Sequence, residues 1–150
     1  NAGWRNSYLA AAFELRNGIP KTAKATKVGP DMIKAMSSEL IFDFLGVRLN
    51  TRKALGHNFK INFVFPDRNE KFLLALSNAH LNNIENIQDK QADLTVTINR
   101  TDLDFLLLKK QSFQQLIKSG KMQLNGNGKV LGQLLMMMDE FPFWFSIVTP

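Results

Sequence analysis

Residues 59–65 read Phe59-Lys-Ile-Asn-Phe-Val-Phe65, with an apolar side chain at every odd position. Because successive side chains of a strand point to opposite faces, this alternation predicts a strand with one face in the core. Pro, Asp, Arg and Asn follow at 66–69 and are typical turn residues. Residues 72–77 then alternate again. The two runs predict an antiparallel hairpin with one buried face.

Further strands are expected at 80–85, at 94–99 and at 122–125, the last two with polar residues at alternate positions. Helical patterns cover residues 31–49 and begin again near Thr101, Ser112 and Gly128. Thr101 is expected to cap its helix, and Ser38 or its neighbour to restart the helix within 31–49. These elements predict an α+β domain with a five-stranded mixed or antiparallel sheet and helices packed on one face.

The chain begins with a separate helical segment at residues 3–17. Its apolar side chains fall on one stripe: Trp4, Tyr8, Ala12 and Leu15. Gly18 and Pro20 end the helix, and the small and basic residues 21–29 are typical of a linker. The predicted organisation is therefore a terminal helix in 1–20, a linker in 21–29 and a domain in 30–150. A lone helix cannot bury its own stripe, so we expect either a partner outside this chain or packing onto the main domain.

The net charge of +6 is unevenly distributed. Residues 1–29 hold five Lys or Arg and one Glu, whereas residues 30–150 hold 14 basic and 12 acidic residues. A nucleic-acid-binding domain concentrates Lys and Arg on its own surface. The nearly neutral main domain argues against nucleic acid as a partner. No apolar run approaches the length of a transmembrane helix, and no signal peptide is visible.

Residue types with catalytic or metal-binding chemistry are sparse. The chain has no Cys, which excludes disulfides and thiolate sites, and its two histidines, His57 and His80, fit no zinc-ligand spacing. The glycines around Asn125 precede a helix but lack the Lys-Ser/Thr of a phosphate-binding loop. We expect no catalytic residue, metal site or cofactor in this segment.

Apolar residues are in surplus, with 12 Phe and 6 Met among 150 residues. Met and Phe suit an adaptable pocket for hydrocarbon, because Met changes shape at little cost. A filled core with a docking patch explains the same composition. The residues alone leave both interpretations open.

Four segments resemble the C-terminal domain of class III alkyl sulfatases, which are bacterial zinc enzymes of the metallo-β-lactamase type. They are Ser38-Glu-Leu-Ile-Phe-Asp-Phe-Leu-Gly-Val-Arg-Leu-Asn50, Asn62-Phe-Val-Phe-Pro-Asp67, Ser119-Gly-Lys-Met-Gln-Leu-Asn-Gly126 and Phe141-Pro-Phe-Trp-Phe-Ser-Ile-Val-Thr-Pro150. The resemblance covers residues 30–150. The leading helix is similar to the last helix of the dimerisation domain that precedes it in that family. One departure is Asn127, where sterol-carrier-like domains usually have Asp.

The resemblance implies a sterol-carrier-protein-like fold that encloses an apolar tunnel for the alkyl tail of an alkyl sulfate, a fatty acid or a similar ligand. It also implies a zinc-dependent sulfatase domain upstream, a homodimeric parent protein and a periplasmic or secreted location for that parent. From the inward strand faces and the last helix, the candidate tunnel residues are Phe63, Phe65, Leu74, Leu76, Phe105, Leu131, Leu135 and Met138.

Two functions from different classes follow. The first is an accessory domain that binds the aliphatic chain of a substrate which the upstream domain hydrolyses. The alternative is a structural module that docks to another domain or subunit and has no ligand of its own. A cavity of a few hundred Å³ favours the first, because ligand sites have about that size.

Overall fold

A computed structural model of the chain describes residues 1–18 and 30–140. These ranges belong to two separate compact units, residues 1–18 to one and 30–140 to the other. Helix α1 (Ala2–Asn17) ends where Gly18 adopts a positive φ of 73°, at the predicted stop. Its stripe residues Trp4, Tyr8 and Leu15 are exposed. The predicted linker 21–29 and the aromatic segment 141–150 lie outside the described residues.

The second unit is built on one five-stranded sheet with the order β3-β2-β1-β4-β5. The strands are β1 (Phe59–Phe65), β2 (Glu70–Ser77), β3 (His80–Glu85), β4 (Leu94–Ile98) and β5 (Met122–Gly126). Only the central pair, β1 with β4, runs parallel within this sheet; the other three pairs are antiparallel. The predicted fold class and all five predicted strands are confirmed.

Six helices belong to this unit: α2 (Pro30–Ala35), α3 (Ser38–Arg48), α4 (Thr51–Ala54), α5 (Arg100–Leu107), α6 (Phe113–Lys118) and α7 (Lys129–Met136). The cap of α3 is Ser37, whose hydroxyl accepts a hydrogen bond from the Leu40 N–H. Ser38 instead donates its hydroxyl to Glu70 on β2. The helix break was therefore predicted at the right place, although the other serine makes the cap.

The start of α5 corrects a prediction. Thr101 does not cap this helix, because the helix begins one residue earlier, at Arg100. The Asp67 carboxylate, in the turn between β1 and β2, accepts hydrogen bonds from the N–H groups of Arg100 (2.8 Å) and Thr101 (3.3 Å). A side chain distant in sequence thus satisfies the free N–H groups, and no local pattern reveals it.

An aromatic cluster holds α3 against the sheet. The Phe42 ring lies 5.0 Å from Phe63, 6.0 Å from Phe65 and 5.1 Å from Phe72 between centroids. Phe42 is 2% exposed, and its three partners project from β1 and β2. Ring pairs at these distances add to the free energy gained from burying apolar surface. A large part of the Phe content therefore stabilises the core.

The alternation of polar residues predicts that the opposite face of the sheet is exposed to solvent. The structure covers part of that face. Asn62 on β1 is buried there because the loop at 86–93 crosses it. The Asn62 side chain donates to the Asp89 carbonyl (2.8 Å) and accepts from the Asp89 N–H (3.0 Å). The Asp89 carboxylate also pairs with Lys60 at 2.6 Å.

Arg100 is completely buried, and its guanidinium connects α5 to the end of α2. Its guanidinium pairs with Asp104 one turn along α5 and donates to the carbonyls of Ile33 (3.3 Å) and Met36 (3.1 Å) at the end of α2. Burial, followed by repulsion from Arg68, lowers the pKa of Arg100. A guanidinium nevertheless stays charged in proteins, so the ion pair is maintained.

Two further expectations, for Met137 and Asp139, need correction, and a third, for Asp102, is confirmed with an addition. In the sequence, the apolar stripe of the last helix runs through Leu131, Leu135 and Met138, which predicts that Met136 and Met137 lie off the buried face. Instead α7 ends at Met136 and the chain turns, which buries Met137. The adjacent Asp139 and Glu140 at the end of the last helical pattern predict a solvated helix end, but Asp139 binds Asn50 and Lys53. Asp102 lies in the first turn of α5, as expected of helix N-terminal charge, and is also buried in an ion pair with Lys121 at 2.9 Å.

Arg100→Leu should lower the free energy of unfolding by about 3–5 kcal/mol, because it leaves the buried Asp104 carboxylate without its cation. Urea denaturation measures this loss. The double variant Arg100→Leu/Asp104→Leu should recover a large part of it, since both buried charges are then gone. The exposed substitution Lys118→Gln serves as a control and should change stability by less than about 0.5 kcal/mol. A double variant no more stable than Arg100→Leu would contradict the account.

Asp89→Asn should reduce stability in a pH-dependent manner. The hydrogen bond from Lys60, and then the one from the Gln91 N–H, lower the pKa of Asp89 from its ordinary value of 3.8. The stabilisation is therefore present above pH 3.8 and is lost as the pH falls through the lowered pKa. Melting temperatures of both proteins between pH 7 and pH 2 measure this, and a difference that persists unchanged at the acid end would refute it.

Candidate functional site

An open groove of about 570 Å³ runs between the C-terminal half of α3, the α5–α6 loop and the chain that follows α7. Its lining combines an apolar floor with a polar rim. The lining residues are Leu45, Arg48, Leu106, Leu107, Lys109, Lys110, Gln111, Ser112, Phe113, Gln115, Leu135, Met138 and Glu140. The volume lies within the range of ligand pockets in proteins, roughly 300–1,000 Å³.

A smaller cavity of about 60 Å³ lies beneath the groove floor. Its lining is entirely apolar: Ile41, Phe42, Leu45, Phe63, Leu103, Leu106, Leu107, Phe113, Met122, Leu131, Leu134, Leu135 and Met138. Six of these side chains also line the groove, so the two spaces share a wall. These shared side chains therefore separate the groove from a cavity that borders Phe42.

Helix geometry explains the lining on the α3 side. Phe42 anchors α3 on the sheet, and Leu45 and Arg48 follow at three-residue steps on the same side of the helix. On the α6 side, Ser112 forms a capping box with Gln115, which fixes the start of that helix next to Phe113. Well-defined helix ends thus hold the groove walls in place.

The chain after α7 closes one end of the groove. Met138 forms an antiparallel bridge with Leu49, and the Asp139 N–H donates to the Arg48 carbonyl at 2.8 Å. In return the Arg48 Nε donates to the Asp139 carbonyl, also at 2.8 Å. These bonds place the Arg48 guanidinium and the Met138 side chain on the same groove.

The groove rim is positively charged. Arg48, Lys109 and Lys110 line it together with one carboxylate, Glu140, which leaves an excess of two positive charges. Lys109 pairs with Glu140 at 3.3 Å, but both side chains are largely exposed, and such pairs contribute little to stability. This rim was not among the predicted site residues; in the sequence its signal is the Lys109-Lys110 pair directly after the apolar residues of α5.

Lys109 has an unusual backbone conformation. Its φ is +56°, and its N–H donates to the Leu106 carbonyl while the Lys110 N–H donates to the Phe105 carbonyl. These two bonds are those of a Schellman motif, in which Gly usually occupies the position with positive φ. A lysine in this position costs stability.

Gln111 adds a polar group with unmet hydrogen-bonding capacity. Its Oε1 is buried and has no hydrogen-bond partner within the described part of the chain. Gln111 lines the groove beside Lys110. The amide can present either its oxygen or its NH₂ group there, because rotation about the last torsion exchanges them.

The eight candidate tunnel residues fall into three groups. Phe63, Leu131, Leu135 and Met138 line the inner cavity, and the last two also line the groove. Phe65, Leu74 and Leu76 are fully buried in the core and line neither space. Phe105 is partly exposed and lies outside both. As ligand contacts, all eight remain predictions.

The described residues hold no group of three or more side chains that could bind a metal ion. His57 and His80 are both exposed. Within the same ranges, none of the helices has the length and apolar character needed to cross a membrane.

Comparisons with known proteins agree on one family. The family model described as alkyl sulfatase C-terminal matches residues 26–150. A linear primary-alkylsulfatase from Pseudomonas sp is 40% identical over 147 residues, which is 98% of this chain and 22% of that protein. The chain thus spans about a fifth of the length of the curated relatives it matches.

Solved structures extend the comparison to the fold. The stereoselective inverting sec-alkylsulfatase Pisa1 from Pseudomonas sp. matches with a TM-score of 0.80 and 35% identity, over 93% of this chain and 22% of that one. Sterol carrier protein 2 like 2 from Aedes aegypti matches with a TM-score of 0.51 and 19% identity, over 73% of this chain and 100% of that one. The second match concerns the fold alone and confirms the predicted sterol-carrier-protein-like architecture.

Lys109→Gly should raise the free energy of unfolding by roughly 0.5–1 kcal/mol, because glycine adopts positive φ without strain and this gain exceeds the added freedom of the unfolded chain. Denaturant midpoints measure the change. Lys110→Gly is the matched control: Lys110 has no positive φ, so this substitution should lower stability. Equal effects of the two substitutions would show that the backbone conformation of Lys109 is unstrained.

Proposed function

Because the chain belongs to the alkyl sulfatase C-terminal family, as its sequence resemblance predicted, we propose that it is an accessory domain for hydrophobic ligands. It binds the aliphatic chain of an alkyl sulfate ester, and a zinc-dependent domain elsewhere in a longer protein hydrolyses that ester. The observation that carries the proposal is the apolar groove floor, whose residues also line a wholly apolar cavity beneath it.

The groove floor has the chemistry of a hydrocarbon site. Leu106, Leu107, Phe113, Leu135 and Met138 offer only apolar side chains. The inner cavity of about 60 Å³ has space for only a small part of a chain, so most of a bound alkyl chain lies along the groove. Each buried CH₂ group contributes about 0.8 kcal/mol before the costs of association.

We place the hydrolytic chemistry outside this chain. The relatives are alkylsulfatases of which the chain spans 22%, and the described ranges contain no cluster of metal-binding side chains. In this proposal zinc and the catalytic residues belong to the upstream part of the parent protein. No cofactor is assigned to residues 30–150.

The proposal assigns the N-terminal segment to a different module. In this proposal the segment 1–20, with helix α1, is the end of a dimerisation domain, the segment 21–29 is the linker to the binding domain at 30–150, and the parent is a homodimer. The exposed apolar stripe on α1, which includes Trp4 and Tyr8, supports this assignment because such a stripe fits packing against another helix.

A second candidate function is docking to another domain or subunit without any ligand. The observation in its favour is an apolar stripe on the exposed side of α3, formed by Leu40, Phe44 and Val47. Under this alternative, sedimentation of the chain shows self-association that Val47→Glu abolishes. A monomer that binds alkyl ligand saturably would count against it.

Alkyl sulfates of increasing chain length should bind the chain saturably near a 1:1 ratio, below their micelle-forming concentrations. Each added CH₂ should tighten binding by up to about fourfold, the equivalent of 0.8 kcal/mol, until the groove is full. Isothermal titration calorimetry measures both quantities. Non-saturating uptake of many detergent molecules per chain would overturn the proposal.

Leu135→Gln should weaken binding of every alkyl ligand about fivefold, because it places an amide on the groove floor and removes roughly 1 kcal/mol of apolar contact. The neighbouring Met136→Gln is a matched control. Leu135 is 40% exposed and lines the groove, whereas Met136 is 80% exposed and does not. Equal effects of the two variants would show that the ligand binds elsewhere.

A further inference from the structure

We propose that the rim of the groove is a head-group site that selects amphiphiles with an anionic head. Arg48, Lys109 and Lys110 supply the charge, and the Gln111 amide supplies a hydrogen bond. This inference rests on the proposed function, since it adds a polar subsite to the groove that holds the alkyl chain. The rim favours alkyl sulfates and fatty carboxylates over neutral or cationic amphiphiles of the same length.

The groove has an apolar floor and a charged rim, which match the hydrocarbon tail and the charged head of an amphiphile. The apolar side chains form the floor, where Leu106 and Leu107 come from the last turn of α5. Lys109 and Lys110 follow within three residues of Leu107 and form part of the rim. A ligand that lies on the floor therefore has its head group within reach of the lysine ammonium groups.

The rim cations are not fully engaged within the protein. The side chain of Lys110 has no ion-pair partner among the described residues. Lys109 has only the exposed pair with Glu140. Arg48 uses its Nε for the Asp139 carbonyl, and its guanidinium lies 5.9 Å from the centroid of the Phe44 ring. Its two terminal nitrogens have no hydrogen-bond or ion-pair partner in the described ranges. These free donors are available to sulfate or carboxylate oxygens.

Two further features distinguish this rim from an ordinary basic surface. Lys109 occupies a positive-φ position where glycine is favoured, so the fold carries a backbone strain in order to keep a cation there. The Oε1 of Gln111 is buried and lacks a partner in the described part of the chain, so no protein hydrogen bond on that oxygen opposes rotation of the amide. After this rotation the NH₂ group, and not the oxygen, donates to an anionic head group. Both features concern residues adjacent to Lys110 on the same groove.

This site distinguishes an alkyl sulfate from the alcohol that its hydrolysis releases. Both carry the same alkyl chain, but only the ester has a negative charge. The floor binds both and the rim favours the ester, so the domain collects substrate in preference to product. Selectivity that depends on charge falls as salt rises, because these side chains are partly exposed.

The test uses the full chain and four ligands with a ten-carbon chain: decyl sulfate, decanoate, 1-decanol and decyltrimethylammonium. The two anions should bind about three- to tenfold more tightly than 1-decanol at low salt, as expected of two partly exposed charge contacts. Decyltrimethylammonium should bind most weakly. The preference for anions should shrink at 0.5 M salt, whereas the affinity for 1-decanol should not fall.

A graded charge series assigns the preference to the rim. Affinity for decyl sulfate should fall from wild type to Lys110→Gln and again to Lys110→Glu, by about two- to fivefold at each step. Affinity for 1-decanol should stay unchanged. Lys71→Glu, an exposed substitution on β2 away from the groove, makes the same change in net charge and should leave decyl sulfate binding nearly unchanged at 0.15 M salt.

The outcomes separate this inference from the proposed function. Equal binding of all four ligands, unaffected by Lys110, would overturn the head-group site and leave the hydrocarbon site intact. No binding of any ligand would overturn both. A loss of decyl sulfate affinity in Lys71→Glu as large as that in Lys110→Glu would also reject the head-group site, since it would show attraction by net charge alone.

Discussion

The structure depends on the packing of one ring, Phe42, against three phenylalanines of the sheet. This contact fixes α3 over the strands β1 and β2, with centroid distances of 5.0 Å to Phe63 and 5.1 Å to Phe72. Because α3 is held there, Leu45 and Arg48 project into the groove one and two turns later. The other wall is held by the capping box of α6, so a densely packed core and a rigid helix end define the open space between them.

The core and the groove use similar types of apolar residue for different purposes. Beneath the sheet, Phe65, Leu74 and Leu76 are completely enclosed and stabilise the fold. At the edge, Leu135 and Met138 remain accessible because α7 ends and the chain turns back to bridge Leu49. The positive rim then limits what this exposed apolar surface attracts. A groove with charges on its rim favours the binding of amphiphiles over association with purely apolar surfaces, which would lead to aggregation.

Much of the fold could be predicted from sequence, because alternation along 59–65 and 94–98 reports which face is buried. The residues of the groove were harder to predict than the fold. Of the candidate residues chosen because they face inward on the strands, Phe63 lines the inner cavity, whereas Phe65, Leu74 and Leu76 do not. Periodicity predicts which face of a strand is buried, but not where along that face a cavity lies. The Asp67 cap of α5 and the bridge of Met138 to Leu49 join residues far apart in the chain, which no local pattern shows. The charged rim could not be predicted, because in the sequence Lys109 and Lys110 do not differ from ordinary surface lysines.

The central claim is that one alkyl chain lies along the groove with its head at the rim. Paramagnetic broadening by a fatty acid that carries a nitroxide at its terminal carbon tests it most directly. With methyl-labelled protein, broadening should be strongest at Leu106, Leu135 and Met138, and a label near the carboxylate should shift the effect toward the amides of Lys110 and Gln111. Broadening centred on Leu40, Phe44 and Val47, or an identical pattern for the two label positions, would contradict the account.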